Sequence, residues 1–408
     1  MTQHRPLWPY SVFAGVLAAA GLPIYMHAPK FYVDSYGVEL GSLGAILAGL
    51  RLLDVVQDPL LGLLSARIRY RSLAVFIGLA VLAAAMVGLF AVSPLFGPAL
   101  WFAAMLILMF SAYSFLSITF YAVGVKRAEA LGRAHLRLAG WREGGALVGV
   151  CLAAIAPVML AGVIEAPFAG FAVGFVALAA VAGIVMAPEW SATHSVPEQP
   201  DIRRILGDSA ARRLLLLGVV NAAPVAVTST LFLFFVESRL QSIGSEGPLL
   251  VLFFVSAAVG APIWSTIAQR VGARRALIYG MALSIAAFLW ALTLGAGDVW
   301  PFAAVCVATG LALGADMTIL PAIFAGRMAR IDPNGAAGFG LWSFATKVSL
   351  AFAAAVLLPI LQGAGFQSGG PNTPETLYLL TILYAGVPCF LKLCAMALLM
   401  RTPIEKEL

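Results

Sequence analysis

The chain has 408 residues, of which 62% are hydrophobic and only 11% charged, with a formal net charge of +6. A water-soluble domain is about 45–50% apolar and about 25% charged, so a soluble globule is excluded, and the mean hydropathy of +0.97 agrees. The bases lie at the ends of apolar runs rather than on a polar domain, which excludes nucleic acid as a partner, and runs this long are not the ~10-residue alternating strands of a membrane barrel.

A helix that crosses a bilayer needs ~20 mostly apolar residues. The runs predict twelve spans, at 9–33, 38–66, 73–92, 99–124, 138–162, 167–187, 213–238, 248–269, 275–295, 300–326, 337–363 and 376–400. The one long polar stretch, 188–212, separates an N-terminal six-helix bundle (1–187) from a C-terminal one (213–408) and reads as a cytoplasmic linker. Cys151, Cys306, Cys389 and Cys394 all fall in apolar runs and read as small apolar filler.

Lys and Arg orient the spans. With both termini in the cytoplasm, 19 of the 25 bases fall on the cytoplasmic side, against Lys30 and Arg239 outside. The other four, Arg51, Arg142, Lys347 and Lys392, lie within spans. Bases at that depth are costly, at ~2.5–3.5 kcal/mol on insertion scales, and normally face a bundle interior or a watery cavity. Lys347 is too deep to snorkel; Lys392 reads as peripheral.

The end of the second span repeats at the end of the eighth. An offset of 203 aligns Pro59 with Pro262, Leu64 with Ile267, Arg67 with Arg270 and Arg71 with Arg274. Parallel six-helix halves with a central cytoplasmic loop are the plan of major facilitator transporters. The predicted fold is therefore an all-α polytopic membrane protein, with twelve transmembrane helices in two pseudo-symmetric bundles. At the same offset Asp54 and Asp58 meet Ala257 and Ala261, so the acids belong to one half only.

Arg51, Asp54 and Asp58 are spaced i, i+3, i+7 and share one helical face. Leu and Val flank them, so that face points inward. Two buried carboxylates one turn apart repel, and a proton or a hard monovalent cation relieves them. The same pattern also suits a self-neutralising Arg–Asp cluster that holds one conformation together. At offset 205 Arg142 in the fifth span meets Lys347 in the eleventh, so each half offers a cation to the interior. Asp316, mid-way along the tenth span, is a second acid for a proton or a solute. Glu143 points about 100° away from Arg142 and reads as near-surface. Tyr25, Tyr113, Tyr121, Trp141 and Trp342 are candidate cavity aromatics.

The stretch from Phe31 to Gly62 resembles the first two helices of the glycoside–pentoside–hexuronide:cation symporters, whose second helix carries Arg, then Asp three and seven positions on, then Pro, as Arg51, Asp54, Asp58 and Pro59 do. The family's eleventh-helix lysine matches Lys347, and its fifth-helix arginine matches Arg142. The resemblance implies that Asp54 and Asp58 bind Na+ or H+, with Gln57 and Ser114 completing the shell in place of the family's Asn and Thr. Ala18 and Ser117 stand where galactoside-carrying members place the acids that hold the sugar. A related branch carries lysophospholipids.

The expected function is cation-coupled symport of a small polar solute, a sugar, glycoside or organic anion, by alternating access. Arg51, Arg142, Lys347, Asp316, Tyr113, Ser117, Tyr121 and Trp342 are the candidates for coupling or solute contact. An amphiphile such as a lysophospholipid is the alternative cargo. A non-transporting sensor or assembly factor on the same scaffold is the alternative class. No nucleophile–base or metal constellation points to an enzyme. The expected partners are the bilayer, the solute and the coupling ion, with no other cofactor. The expected form is a monomer in the inner (plasma) membrane with both termini cytoplasmic.

Overall fold

The computed structural model describes residues 6–132, 134–191, 202–332, 334–367 and 370–402. In hydrocarbon every backbone N–H and C=O needs an internal partner, which only helices and closed barrels supply. The described chain is accordingly helical throughout. In order come α1 (Trp8–Ala19), α2 (Leu22–Tyr36), α3 (Leu40–Arg67), α4 (Arg71–Phe90), α5 (Pro98–Ala130), α6 (His135–Ala161), α7 (Pro167–Ser191) and the short α8 (Ile202–Gly207). Then follow α9 (Ser209–Phe234), α10 (Glu246–Val271), α11 (Ala273–Ala291), α12 (Val299–Ile331), α13 (Ala336–Gly363), α14 (Pro374–Thr381) and α15 (Val387–Arg401). Among the described residues, ten helices are long and apolar enough to cross a membrane. The predicted first two spans correspond to the broken pair α1–α2 and to the acid-bearing α3, which are not among those ten.

The predicted first span, 9–33, is interrupted at Ala20 and Gly21, where the Gly21 backbone leaves the helical region at φ −92° and ψ −114°. Pro23 has no N–H to offer Ala19, and the Ile24 N–H bonds Gly21 O instead of continuing the α-helical ladder. Two spans carry π-turns: Phe235–Arg239 ends α9, and Ile382–Gly386 joins α14 to α15. The fourth span continues to Ala130 and the tenth to Ile331, beyond the apolar runs, because their last polar turns extend the helix outward. The polar stretch 188–212 is partly helical: α7 runs on to Ser191, and α8 and the start of α9 occupy its second half, while 192–201 lie outside the described residues.

By packing the chain divides into two compact units. One is Met1–Ile205 with Met328–Phe344, and the other is Leu206–Arg327 with Ala345–Leu408. In the first, α1 lies tightly on α6 because small residues meet. A Cβ added at Gly145 would sit 2.2 Å from Ser11 O, and one at Gly149 2.2 Å from Gly15 O. Small residues every fourth position are the usual means by which membrane helices approach this closely. In the second unit Asp208 caps α9, accepting from the Ala211 N–H at 2.7 Å, and pairs with Arg327 of α12.

Candidate functional site

The α3 face predicted from spacing is formed. Asp54 is 7% exposed and Asp58 fully buried, one turn apart on α3. Gln57 lies between them and donates from Nε2 to Asp54 Oδ1 at 2.9 Å. Its own carbonyl accepts from Ser111 Oγ of α5 at 2.9 Å. Ser343, near the start of α13, donates to Asp58 Oδ2 at 2.5 Å. Gln57 of α3 and Ser343 of α13 thus touch the carboxylates directly, and Ser111 of α5 supports them through Gln57. The Arg51 side chain, like that of Tyr25, lies outside the described residues.

The cradle for this face is set by close backbone packing just beyond it. A Cβ at Gly62 would sit 2.8 Å from Ala336 O, and one at Gly340 2.9 Å from Asp58 O. Asn334, in the turn before α13, donates to Ala66 O at 2.9 Å and accepts from Arg71 Nη2 at 2.5 Å. With no side chain at either glycine, α13 approaches α3 closely enough for Ser343 to touch Asp58.

Beside it stands a second charged group. Glu143 Oε1 accepts from Arg142 Nε at 2.8 Å and from the Tyr121 hydroxyl at 2.9 Å. The Arg142 guanidinium lies 3.7 Å from the Tyr121 ring centroid, and Phe339 packs on that ring at 5.0 Å. This corrects the sequence reading of Glu143, which is 2% exposed. Neighbouring Cβ directions diverge by about 100° on a helix, but these two side chains curl onto a common partner on α5. Tyr113 hydrogen-bonds to Ser117 and lies within electrostatic reach of Glu143, Asp54 and Asp58. The α3 acids and the α6 pair are therefore near neighbours.

Of the expected residues, Trp141 does not join this group. Ser114 is buried on α5, yet Ser111, one turn earlier, is the residue that reaches Gln57. Trp342 is buried beside Ser343, and Lys347 is half-buried one turn further along α13. Trp141 is 45% exposed and offers only its backbone carbonyl, to Ser11. Asp316 is buried on α12 in the other unit. Lys392 is not peripheral: it is 2% exposed and bonded to Asp316 and Asn221. Its partners come from α12 and α9, so nothing within its own segment announces them. Ser111 and Ser343 were also missed. Their signals were modest: each lies one turn before a residue already singled out, Ser114 and Lys347.

A family model described as MFS/sugar transport protein matches residues 10–406. Among solved structures, the Escherichia coli fucose:proton symporter FucP superposes with a TM-score of 0.68 at 12% identity, covering 97% of this chain and 99% of that one. A bacterial homologue of the iron transporter ferroportin, in an outward-facing state, gives a TM-score of 0.69 at 13% identity with the same coverage. Identities this low speak for the fold alone. No curated protein matches.

Proposed function

The chain belongs to the MFS/sugar transport protein family, and on that premise we propose that it is a cation-coupled symporter of a small polar solute, driven by Na+ or H+ and working by alternating access. One observation carries the coupling: Asp54 and Asp58, buried one turn apart on a membrane-spanning helix. Ionised together and desolvated they repel, so binding a proton or a monovalent cation is favourable. Oxygen ligands suit a hard cation; Gln57 and, behind it, Ser111 add neutral oxygens next to Asp54, and Ser114 is buried one turn from Ser111 on the same helix.

The link from ion to conformation is Ser343. Its hydroxyl and the coupling cation compete for Asp58, so ion binding alters what holds the start of α13 to α3. A ligand shifts an equilibrium only by its differential affinity for two states, and this competition supplies such a difference. Arg142 and Tyr121, adjacent to the acids, and Lys347 and Trp342 on α13 are the further groups for coupling or solute contact. The distribution of Lys and Arg supports placing both termini in the cytoplasm and the protein in the cell's inner (plasma) membrane, where it acts as a monomer with no cofactor beyond the coupling ion.

The test is thermal stability of the purified protein during Na+ titration at constant ionic strength, for wild type and Asp58→Asn. A saturable rise in wild type that the substitution abolishes supports a Na+ site. Without a Na+ effect, uptake into proteoliposomes must follow an imposed pH gradient and must fail in Asp58→Asn. Absence of both responses overturns the reading.

A further inference from the structure

Four helices of the second unit that are long and apolar enough to cross a membrane carry arginine at the same end. Arg212 and Arg213 lie at the start of α9, Arg270 at the end of α10, Arg274 and Arg275 at the start of α11, and Arg401 at the end of α15. Hydrogen bonds draw these ends together. Arg213 Nη1 donates to Arg401 O at 3.3 Å, and Arg274 Nη2 donates to Thr402 O at 2.7 Å. A single residue, Gly272, separates α10 from α11.

Arg212, Arg213, Arg270, Arg275 and Arg401 are exposed. Among the described residues, none of these five pairs with a carboxylate. Asp208, the acid described at this end, is already engaged by Arg327 and the Ala211 N–H. The acids that follow in the sequence, Glu405 and Glu407, flank Lys406 and are too few to balance six arginines. Bases in the first unit are placed differently: Arg127 meets Glu189 and Arg142 meets Glu143. Like charges gathered on one end repel one another, and an anion from outside the chain relieves them. All six bases are arginine, whose planar fork matches a phosphate with two parallel hydrogen bonds.

One turn further into each span the surface is apolar. Leu216 on α9 is 52% exposed, Tyr279 on α11 53% and Met400 on α15 56%. Leu216 lies four positions beyond Arg212, and Tyr279 four beyond Arg275, so each shares a helical face with its arginine. A free anion would use the charges alone. A phospholipid uses both layers, with its phosphate at the guanidinium groups and its chains along the apolar side chains. The Tyr279 ring, apolar in body and polar at its tip, suits the junction between the two.

We propose that this end of the second unit is a binding surface for anionic phospholipid. The exposed arginines hold the headgroup phosphate, and Leu216, Tyr279 and Met400 lie along the acyl chains. A zwitterionic lipid also has a phosphate, but its own ammonium offsets it, so the surplus of arginine selects a headgroup with net negative charge. The inference concerns the lipid that the protein holds rather than the solute that it moves, and it stands whether or not the transport reading does.

The experiment follows the thermal midpoint of the purified full chain in neutral detergent, titrated with dioleoylphosphatidylglycerol. Dioleoylphosphatidylcholine and inorganic phosphate are the comparisons. The expected result is a saturable rise with phosphatidylglycerol alone, weakened at high salt because the attraction is screened. In Arg270→Gln/Arg275→Gln/Arg401→Gln the half-saturating concentration should rise by about tenfold or more, since each base near an anionic surface is worth roughly fivefold. Arg67→Gln/Arg69→Gln/Arg137→Gln removes the same charge from exposed positions of the first unit and should titrate like wild type. If the first triple variant does not fold, Arg275→Gln alone is used, with about a fivefold rise expected. The proposal is overturned if the two lipids act alike, if inorganic phosphate stabilises as well as phosphatidylglycerol does, if the two triple variants lose equally, or if the arginine variant titrates like wild type.

Discussion

Ser343 and Asp58 are 285 positions apart in the chain and share a hydrogen bond of 2.5 Å at the buried end of the α3 acidic face. The bond ties the candidate ion site to the first turns of α13, and under the proposed coupling the hydroxyl would compete with the ion for Asp58.

Removing that competitor should strengthen ion binding. Hydrogen bonds to charged groups contribute about 1.5–3 kcal/mol, so Ser343→Ala should lower the half-saturating concentration of the coupling ion by roughly tenfold. The measurement is the ion titration of the thermal midpoint already described. An unchanged titration would make Ser343 a bystander.

The pair Arg142 and Glu143 should show strong energetic coupling. Deleting one partner of a buried ion pair strands the other, at a cost of about 3–5 kcal/mol. Arg142→Ala should therefore destabilise more than Arg142→Ala combined with Glu143→Gln. A double-mutant cycle on unfolding midpoints reads the difference, and additive effects would contradict the observed geometry.

Glycines in α6 should divide by position. Gly149→Ala places a methyl 2.2 Å from Gly15 O, whereas a Cβ at Gly144 meets nothing within 4 Å. The first substitution should destabilise by about 1–3 kcal/mol as overpacking. The second should be neutral or slightly stabilising, since Gly costs about 0.5–1 kcal/mol in a helix interior. Comparing the two melting curves separates helix contact from helix propensity.

Asp208 predicts a pH dependence. Its hydrogen bond to Arg327, assisted by the Ala211 N–H, holds the carboxyl below its ordinary range. A depressed folded value means the contribution is complete above the unfolded value of about 3.9 and fades as pH falls through the lower folded value. Asp208→Ala should cost about 1 kcal/mol at neutral pH through the lost cap. Its gap from wild type should narrow in acid below about pH 4. A gap independent of pH would assign the loss to packing instead.

Much of this was legible in the sequence, for physical reasons. Hydrocarbon admits few structures, so length and hydropathy located the spans, and the i, i+4 spacing placed Asp54 and Asp58 on one face. What escaped was whatever depends on a partner distant in the chain. Lys392 reads as peripheral until α12 and α9 are known to bring Asp316 and Asn221 to it. Glu143 reads as near-surface when only Cβ directions are considered, because side-chain length lets it fold back onto Tyr121. Ser343 has no signature of its own, since its contact depends on two glycines, Gly62 and Gly340, that let α13 approach. The interruption at Gly21 was written in the Gly-Leu-Pro run, but proline inside a span is common enough to pass as a kink.

The two π-turns meet, with the rings of Phe235 and Tyr384 stacked at 4.2 Å. A π-turn holds one residue more than the α-helix it interrupts, and everything downstream is rotated by about 100°. Lys392 lies six positions beyond Gly386, so its heading depends on that surplus residue. Deleting one residue between Ile382 and Gly386 would leave the composition of the last span almost untouched and swing Lys392 away from Asp316. In this helix a register shift of a single residue, rather than any change of side-chain chemistry, would be enough to break the contacts of Lys392 with Asp316 and Asn221.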